Sequence, residues 1–580
     1  QSGLNKENTP SLAATGSVNY KFTDWLTFDG SYSLHFVPKE NIKFTNSIKT
    51  YYPNGNIAYE KPAKASLSEK KTNSLNQDFK AMLNFNKTFG DHNVKALVGF
   101  SHESYTGKWI SASRSDYVFP QYPVLNAGSI EDMKNEGSGD EWVLRSFYGR
   151  LNYDYKSKYL FEANIRYDGS SRFASGNKWG VFPSFSAGWR ISEEAFWEPF
   201  KNVVDNVKLR ASWGQLGNQL IGNYSFASFV TYGTNIMGGQ AMSSAYLSDM
   251  ANPDISWEKT TMTNIGLDMS LFSKLSMTFD YYVRRTSDIL LKLDIPKFTG
   301  LNAPYQNAGV VDNKGWDLSF SWRDNISDFQ YGATFVLSDV RNEVVDLKGV
   351  KRTGLTVSNE GYPINSLYGL EAIGFIQESD YDENGKYLYA TQYGNFGPGD
   401  IKYKDQNKDG VIDDKDEKII GSTIPRFNFS LNLNASWKGF DLSMFWQGVG
   451  KADGYLYGNA TMPFIMGGTA LEMHKDYWTS ENPNATFPRL AFNEINNEKN
   501  STFWMKSAAY LRLKNLQVGY TIPKSLLSKI FIKNLRVYVS GQNLFTIDNF
   551  WDGYDVEAPV GIGSFYPQVK LYSVGLDVKF

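Results

Sequence analysis

From Phe427 to Trp437 the chain alternates without a break. Phe427, Phe429, Leu431, Leu433, Ala435 and Trp437 are apolar, and Asn428, Ser430, Asn432, Asn434 and Ser436 between them are polar. A period of two sends the two sets to opposite faces of an extended strand. After Lys438-Gly439 the pattern resumes with Phe440, Leu442, Met444 and Trp446 against Asp441, Ser443 and Gln447. The pair reads as a hairpin with roughly ten residues per strand, a length that crosses a bilayer at a tilt, whereas soluble strands usually have about five or six.

Composition narrows the alternatives. Lys+Arg 59 against Asp+Glu 61 leaves a net charge of −2, which removes the basic footprint of a nucleic-acid partner. With no Cys, disulfides and thiolate metal sites are excluded, and His35, His92, His102 and His474 form no pair at ligand spacing. Neither Gly-x-Ser-x-Gly, His-Glu-x-x-His nor a phosphate-binding glycine loop occurs, so no catalytic constellation is expected. Mean hydropathy is −0.41, and no apolar run approaches the ~18 residues of a spanning helix. In a membrane such a chain must cross as a closed β-barrel. The 36 Tyr and 39 Phe suit interface girdles and sugar-stacking loops alike. The opening QSGLNKENTP has neither the basic nor the apolar part of a signal peptide.

The hairpin unit recurs along the chain. Gly16 to Phe22 and Trp25 to Phe36 flank Thr23-Asp24; Leu75 to Phe89 and Val94 to Ser104 flank Gly90-Asp91-His92. Phe147 to Tyr155 and Tyr159 to Tyr167 flank Lys156-Ser157, and Val181 to Trp189 and Val207 to Trp213 flank a connector rich in Glu and Trp. Ile265–Leu271 with Leu275–Val283, and Trp316–Trp322 with Phe329–Leu337, repeat the theme. The last strands are Leu511–Tyr520, Leu535–Leu544 and Val569–Phe580, giving about 17 in all. Short turns alternate with long loops at 37–73, 105–141, 217–256, 342–423 and 450–505, as in outer-membrane barrels with long extracellular loops. A last amphipathic strand closing on Phe580 fits the same class. An odd count whose last strand runs inward implies that the first strand also runs inward. Gln1 is then expected in an extracellular loop, with at least one strand preceding it.

These residues carry a resemblance. GPGDIKYKDQNKDGVIDDKDEKIIGSTIPRFNFSLNLNASWKGFDLSMFWQGV (397–449) resembles the signature region of SusC/RagA-type TonB-dependent transporters of Bacteroidetes outer membranes. LRLKNLQVGYTIPKSLL (511–527), LRVYVSGQNLFTI (535–547), GYDVE (553–557) and YPQVKLYSVGLDVKF (566–580) are similar to that family's barrel end. So are DGSSRF (168–173), FPSFSAGWRISEE (182–194), LRASWGQLGNQ (209–219) and WEKTTMTNIGLD (257–268). The resemblance implies an all-β, antiparallel transmembrane barrel, with residues 1–580 supplying the C-terminal portion of a 22-stranded whole. It implies import of oligosaccharides or peptides across the outer membrane with a SusD-like surface lipoprotein as lid, driven through TonB. The N-terminal plug and the TonB-interacting segment are expected outside this chain.

Two groups of residues stand out as candidate sites. Asp405, Asn407, Asp409, the Val411 carbonyl, Asp413 and Asp416 fall at the ligand positions of a Ca²⁺ loop, with Gly410 at the sharp turn. Position 12 is Asp416 rather than the bidentate Glu, so affinity is expected in the ~10⁻⁴–10⁻³ M range of extracellular modules. An acidic turn held by Asx hydrogen bonds, without metal, is the alternative. Such a site would be structural, pinning the 342–423 loop. Tyr477, Trp478, Phe503, Trp504, Phe550, Trp551 and Tyr554 are candidate contacts for ligand or lid, with packing inside a loop core as the alternative. Met237–Met242 and Met462–Met466 read as flexible contact loops. The competing functions are a passive porin and a secreted, soluble carbohydrate-binding β-protein. Glycan and peptide cargo are not distinguished by the sequence.

Overall fold

The computed structural model describes residues 3–349, 351–492, 494–527 and 531–580. Gln1, whose placement the strand parity anticipates, lies outside the described residues. Strand is the dominant element, with only short helical turns elsewhere, and the main antiparallel sheet contains 17 strands in 19 segments among the described residues. Two strands are each interrupted once. Gly3–Asn8 and Leu12–Thr23 both pair with Leu26–Thr45, and Asn534–Gln542 and Thr546–Asp548 both pair with Tyr510–Thr521. We number them β1 (Gly3–Asn8 with Leu12–Thr23), β2 (Leu26–Thr45), β3 (Ser66–Phe89), β4 (His92–Ser115), β5 (Lys134–Tyr155), β6 (Tyr159–Ser170), β7 (Trp179–Arg190) and β8 (Val204–Asn218). There follow β9 (Glu258–Leu271), β10 (Leu275–Lys292), β11 (Tyr305–Ile326), β12 (Phe329–Asp346), β13 (Arg426–Trp437), β14 (Phe440–Lys451), β15 (Tyr510–Thr521), β16 (Asn534–Gln542 with Thr546–Asp548) and β17 (Leu571–Lys579).

The chain divides into two compact units, the first comprising Gln1–Ala187, Ser212–Thr261 and Ser287–Asn307, the second Gly188–Ala211, Met262–Thr286 and Ala308–Phe580. In the first, β1 to β6 pair in sequence order. The short turns fall where the alternation stops. Lys156 and Ser157 take φ of 52° and 55°, so the two-residue turn has the handedness that matches the strand twist. Aromatics crowd this end: Tyr20 meets Phe22 at 4.9 Å, Trp25 meets Phe85 at 5.5 Å and Tyr155 stacks on Tyr159. Rings beside the turns are what a membrane interface selects.

At the other end the strands outrun the alternation. β3 and β4 have 24 residues each, about twice the 9–11 that cross a bilayer. Most of the loops expected at 37–73 and 105–141 is therefore strand. Beyond Phe36 the two-faced pattern gives way to Lys, Glu, Asn and Ser on both faces, yet backbone pairing continues because those amides still need partners. Cross-strand ion pairs replace apolar contacts there, Lys39 with Glu7 at 2.7 Å and Lys71 with Glu40 at 3.2 Å. A small core of Phe44, Ala65, Leu67 and Tyr117 closes the tip, below a hairpin of Ile48–Tyr51 and Ile57–Lys61. The 217–256 segment likewise contains a regular hairpin, so Met237–Met242 is no flexible loop: Gly238 and Gly239, at φ 60° and 79°, form a tight turn.

In the second unit, Ala308–Ile326 of β11 continues the ladder through β12, β13, β14, β15, β16 and β17. The β13–β14 turn is Lys438-Gly439, at φ 45° and 91°. Register sorts the side chains onto two faces, with Phe445 an apolar residue on the otherwise polar one. Leu431 lies opposite Phe335 and Trp446, while Asn432 lies opposite Thr334 and Phe445. The polar set binds charge as well: Arg210 donates to both Asp268 (2.8 Å) and Asp280 (3.1 Å), joining β8, β9 and β10 across one face. Arg536 of β16 reaches Asp441 of β14 in the same way, at 2.8 Å. No described helix is long and apolar enough to cross a membrane.

Candidate functional site

The long connections of the second unit do not hang free. Each carries apolar residues that it cannot bury alone, and together they enclose a core of Leu367, Leu370, Ile401, Tyr455, Leu456 and Trp504 with further rings around it. Backbone bonds tie the segments: Leu370 N donates to Asn500 O at 2.8 Å, Thr502 N to Leu370 O at 3.0 Å, and Tyr455 bridges to Val560 in parallel. This core favours the loop-packing alternative for most of the aromatic candidates. Trp504 is 1% exposed, and Phe550 and Trp551 are 5% exposed, inside the packing. Trp478 is buried against Gly399 and donates its Nε1–H to Gln377 at 3.3 Å. Phe503 stands edge-on to Trp504 and is half-buried. Ring area that large is worth more in the loop core than in water, so these residues fold the loops. Only Tyr477, exposed, and Tyr554, on a cavity wall, remain open to a ligand.

Buried charge organises the same loops. Asp400 is fully buried and takes both arms of Arg489 at 2.7 Å, while Asn497 donates to it at 2.9 Å and Arg489 also reaches Glu494 at 3.0 Å. The bond to Asp400 raises the guanidinium's pKa above its ordinary value. Nearer the surface, Glu371 gathers Lys418 at 2.6 Å, the Gln406 amide at 2.9 Å and Lys404 at 3.3 Å. Those donors, Lys418 first, pull its carboxyl down to about 2. Sequence reading missed both nodes, because Asp400 and Arg489 are too far apart in the chain for any spacing rule. His474 is 1% exposed, its Nδ1 accepting from Leu471 N at 2.9 Å and its Nε2–H donating to Thr461 O at 2.8 Å, and burial pushes its pKa down.

The acidic loop folds back on its own backbone. Asp405 accepts from Lys408 N at 2.6 Å and Gly410 N at 3.0 Å, Asn407 from Asp409 N at 2.9 Å, and Asp409 from Val411 N at 3.0 Å. Asp413 accepts from Lys415 N at 2.8 Å; Asp416, fully buried, takes Gln406 N at 2.7 Å and Asp413 N at 2.9 Å. This is the Asx pattern weighed as the alternative to metal. Among the described residues no three His, Asp or Glu side chains converge on one metal position. Ile412, 2% exposed in the loop core, anchors the arc, and its N–H reaches Thr391 O at 2.9 Å.

Among the cavities lined by described residues of this unit, two lie at opposite ends of the strands. One, of about 780 Å³, lies at the short-turn end of β11 to β14 and is lined by Arg323, Asp324, Tyr331, Asn434, Ser436 and Asp441. The other, of about 590 Å³, lies among the loops, with Tyr554, Phe565 and Tyr566 facing Glu472, Asp552 and Asp555. Aromatic walls with a few carboxylates suit the binding of a polar ligand.

An amphipathic ladder with aromatic turns, one polar and charged face and a folded loop assembly has the elements of an outer-membrane β-barrel, and the comparisons agree. The TonB dependent receptor-like, beta-barrel family matches residues 41–544, so the chain belongs to that family. It is 32% identical over 541 residues to TonB-dependent receptor P3 of Formosa agariphila, covering 88% of this chain and 52% of the relative. To TonB-dependent receptor SusC of Bacteroides thetaiotaomicron it is 29% identical over 466 residues, covering 76% and 44%. A structure of the RagAB peptide transporter matches at 25% identity with a TM-score of 0.83, over 100% of this chain and 63% of that one. The SusC/RagA resemblance of the signature segments is thereby met, and the chain is an outer-membrane protein whose relatives are receptors and transporters rather than enzymes. The chain spans about half the length of the curated relatives it matches.

Proposed function

We propose that this chain forms the larger part of the barrel of a TonB-dependent importer, which takes up oligosaccharides or peptides under a SusD-like surface lipoprotein that acts as lid. The family match over residues 41–544 carries the proposal. A lumen face rich in Ser, Thr and Asn and crossed by Arg–Asp pairs supports it, because hydrated cargo needs such a wall. The plug and the TonB-interacting segment belong, in this reading, to the part of the longer relatives that the chain does not match. The test is to purify the tagged transporter from native membranes and identify what accompanies it. Stoichiometric recovery of a lipoprotein, and loss of growth on one glycan or peptide source when the transporter is deleted, are expected. A transporter that purifies alone and lets solutes pass without TonB is a porin, and the proposal is then wrong.

We further propose that the acidic loop takes Ca²⁺ through Asp405, Asn407, Asp409, the Val411 carbonyl, Asp413 and Asp416. The all-oxygen donor set suits a hard cation, and Gly410 at φ 87° lets the loop turn sharply enough to bring Asp405 back over its middle. Millimolar Ca²⁺ should then slow protease cleavage within 405–416 relative to chelator. Identical cleavage with and without Ca²⁺ would reject the metal and leave the Asx turn as the whole explanation.

A further inference from the structure

The polar face of β1 to β6 consists mainly of small, amide-bearing and charged side chains. Among its described residues four aromatics interrupt it, Tyr105 and Trp109 on β4 and Trp142 and Tyr148 on β5. They share two neighbouring strands, and Tyr105 lies directly opposite Trp142. Pairing places His35, Asn76, Tyr105 and Trp142 in one row across four strands. At the ~4.8 Å strand spacing the row is about 14 Å long. His35 and Asn76 adjoin Phe36 and Leu75, where the outward alternation ends.

The rings are held in place by what lies under and beside them. Gly107 leaves room for Tyr105, since a Cβ there would come within 2.5 Å of the Tyr105 hydroxyl. Gly99 does the same for Tyr148, whose ring would stand 2.4 Å from a Cβ. The planes of Tyr105 and Trp142 are within 17° of parallel, with centroids 6.1 Å apart. Arg172, anchored on Ile221 O at 2.7 Å, stands 5.3 Å from the Trp142 ring and fixes it from one side. Lys70 covers Trp109 at 3.8 Å and Arg166 lies over Tyr148 at 5.3 Å, whereas Tyr105 has no such cation among the described residues. Tyr105 and Trp142 are half-buried, so part of each ring stays open. Polar groups flank the pair: Asn76 opposite Tyr105, Glu103 one step below it on the same face, and Asp140 opposite Gly107 one step above.

We infer that the Tyr105–Trp142 pair, with Asn76, Glu103 and Asp140 around it, is a subsite for a pyranose glycan. The inference deepens the import reading above and rests on it, because that reading makes the polar face the lumen. The C–H face of a pyranose is apolar and stacks on an aromatic ring, while its hydroxyls bond to planar amides and carboxylates. The row supplies both kinds of group in adjacent positions. A peptide fits this wall less well. Extended peptides are held by main-chain bonds to an open strand edge, and β2 to β5 are each paired on both sides. The competing occupant is a protein segment packed on the rings.

The test titrates the full-length transporter in detergent, by calorimetry, with hexasaccharides of starch, cellulose, xylan, mannan and laminarin, and with a tryptic peptide pool. At least one hexasaccharide should bind. Tyr105→Ala and Trp142→Ala should each weaken its Kd by about tenfold, roughly 1.4 kcal/mol, while Tyr105→Phe, which keeps the ring, stays within about threefold. Heat-modifiable mobility checks that each variant barrel is folded. Binding of peptides and of none of the hexasaccharides would overturn the subsite and leave the import reading in place. Glycan affinity unchanged in both alanine variants would overturn it too, and barrels loosened by the same variants would then show that the rings seat a protein segment. Binding of neither class also overturns the subsite, whereas the import reading stands or falls on its own lipoprotein and growth tests.

Discussion

Between β2 and β3 the chain leaves the ladder and returns within residues 46–65; between β12 and β13 it does so over residues 347–425. The first excursion is mostly absorbed by lengthening the strands on either side, with charges paired across the ladder and a core of only four buried residues at the tip. The second builds short sheets, joins residues 452–508 and 548–560, and buries Asp400, Tyr403 and Trp504. Hydrogen bonds that repeat along a ladder tolerate almost any polar sequence. A closed loop core depends on particular volumes and on charges that have one partner each. Mutational sensitivity should therefore differ sharply between the two.

The largest expected effect is in the loop core. Arg489→Ala leaves Asp400 charged and buried without its partner, a loss of about 3–5 kcal/mol. Urea-dependent proteolysis should report early opening of 476–498 while the barrel stays heat-modifiable. Unchanged proteolysis would erase the contrast. Next comes the spanning ladder. Leu431→Arg puts a cation on the lipid face at a cost of about 2–4 kcal/mol, and Asn432→Arg on the polar face costs far less. Equal thermal stability of the two variants in membranes would mean that the faces are reversed or unresolved.

Acid should separate two loop contacts by their sign. His474 is buried neutral, with a pKa below its ordinary 6.5, so its contribution is full above pH 6.5 and is lost as pH falls through the depressed value. Glu371 is held down to about 2 from 4.5, so its ties to Lys418 and Lys404 persist at pH 4.5 and fail only toward pH 2. Protease cleavage near Leu471 should rise first on acidification, and His474→Gln should remove that early step. One simultaneous opening would show that the contacts are not independent. The smallest effect belongs to the extended ladder: Lys71→Ala removes an exposed pair with Glu40 and should shift stability by about 0.5 kcal/mol or less.

The same contrast explains what could be read in advance. Strand number and facing followed from side-chain parity, a local property visible in residues such as Phe427 to Trp437, and about 17 expected strands are 17 in the sheet. Strand length did not follow, because beyond Phe36 and before Leu75 polar residues on both faces look like loop, although their backbones stay paired. The choice between contact and packing for the aromatic candidates was not legible for a related reason. Trp504, Phe550 and Trp551 look like exposed loop rings until residues some 50 to 180 positions away in sequence are seen to close over them, and no periodicity encodes that. Asp405 to Asp416 was legible as a turn; its backbone hydrogen bonds show how the turn is held.

The central claim is that alternation along β13 marks a lipid face and a lumen face. Spin labels placed singly at each position from Phe427 to Trp437, in the protein reconstituted in bilayers, test it by relaxation with oxygen and with a water-soluble nickel chelate. The account predicts oxygen access at Phe429, Leu431, Leu433 and Ala435 and nickel access at Asn428, Ser430, Asn432 and Asn434, with a period of two residues. Uniform nickel access along the strand, or oxygen maxima at the asparagines, would contradict it.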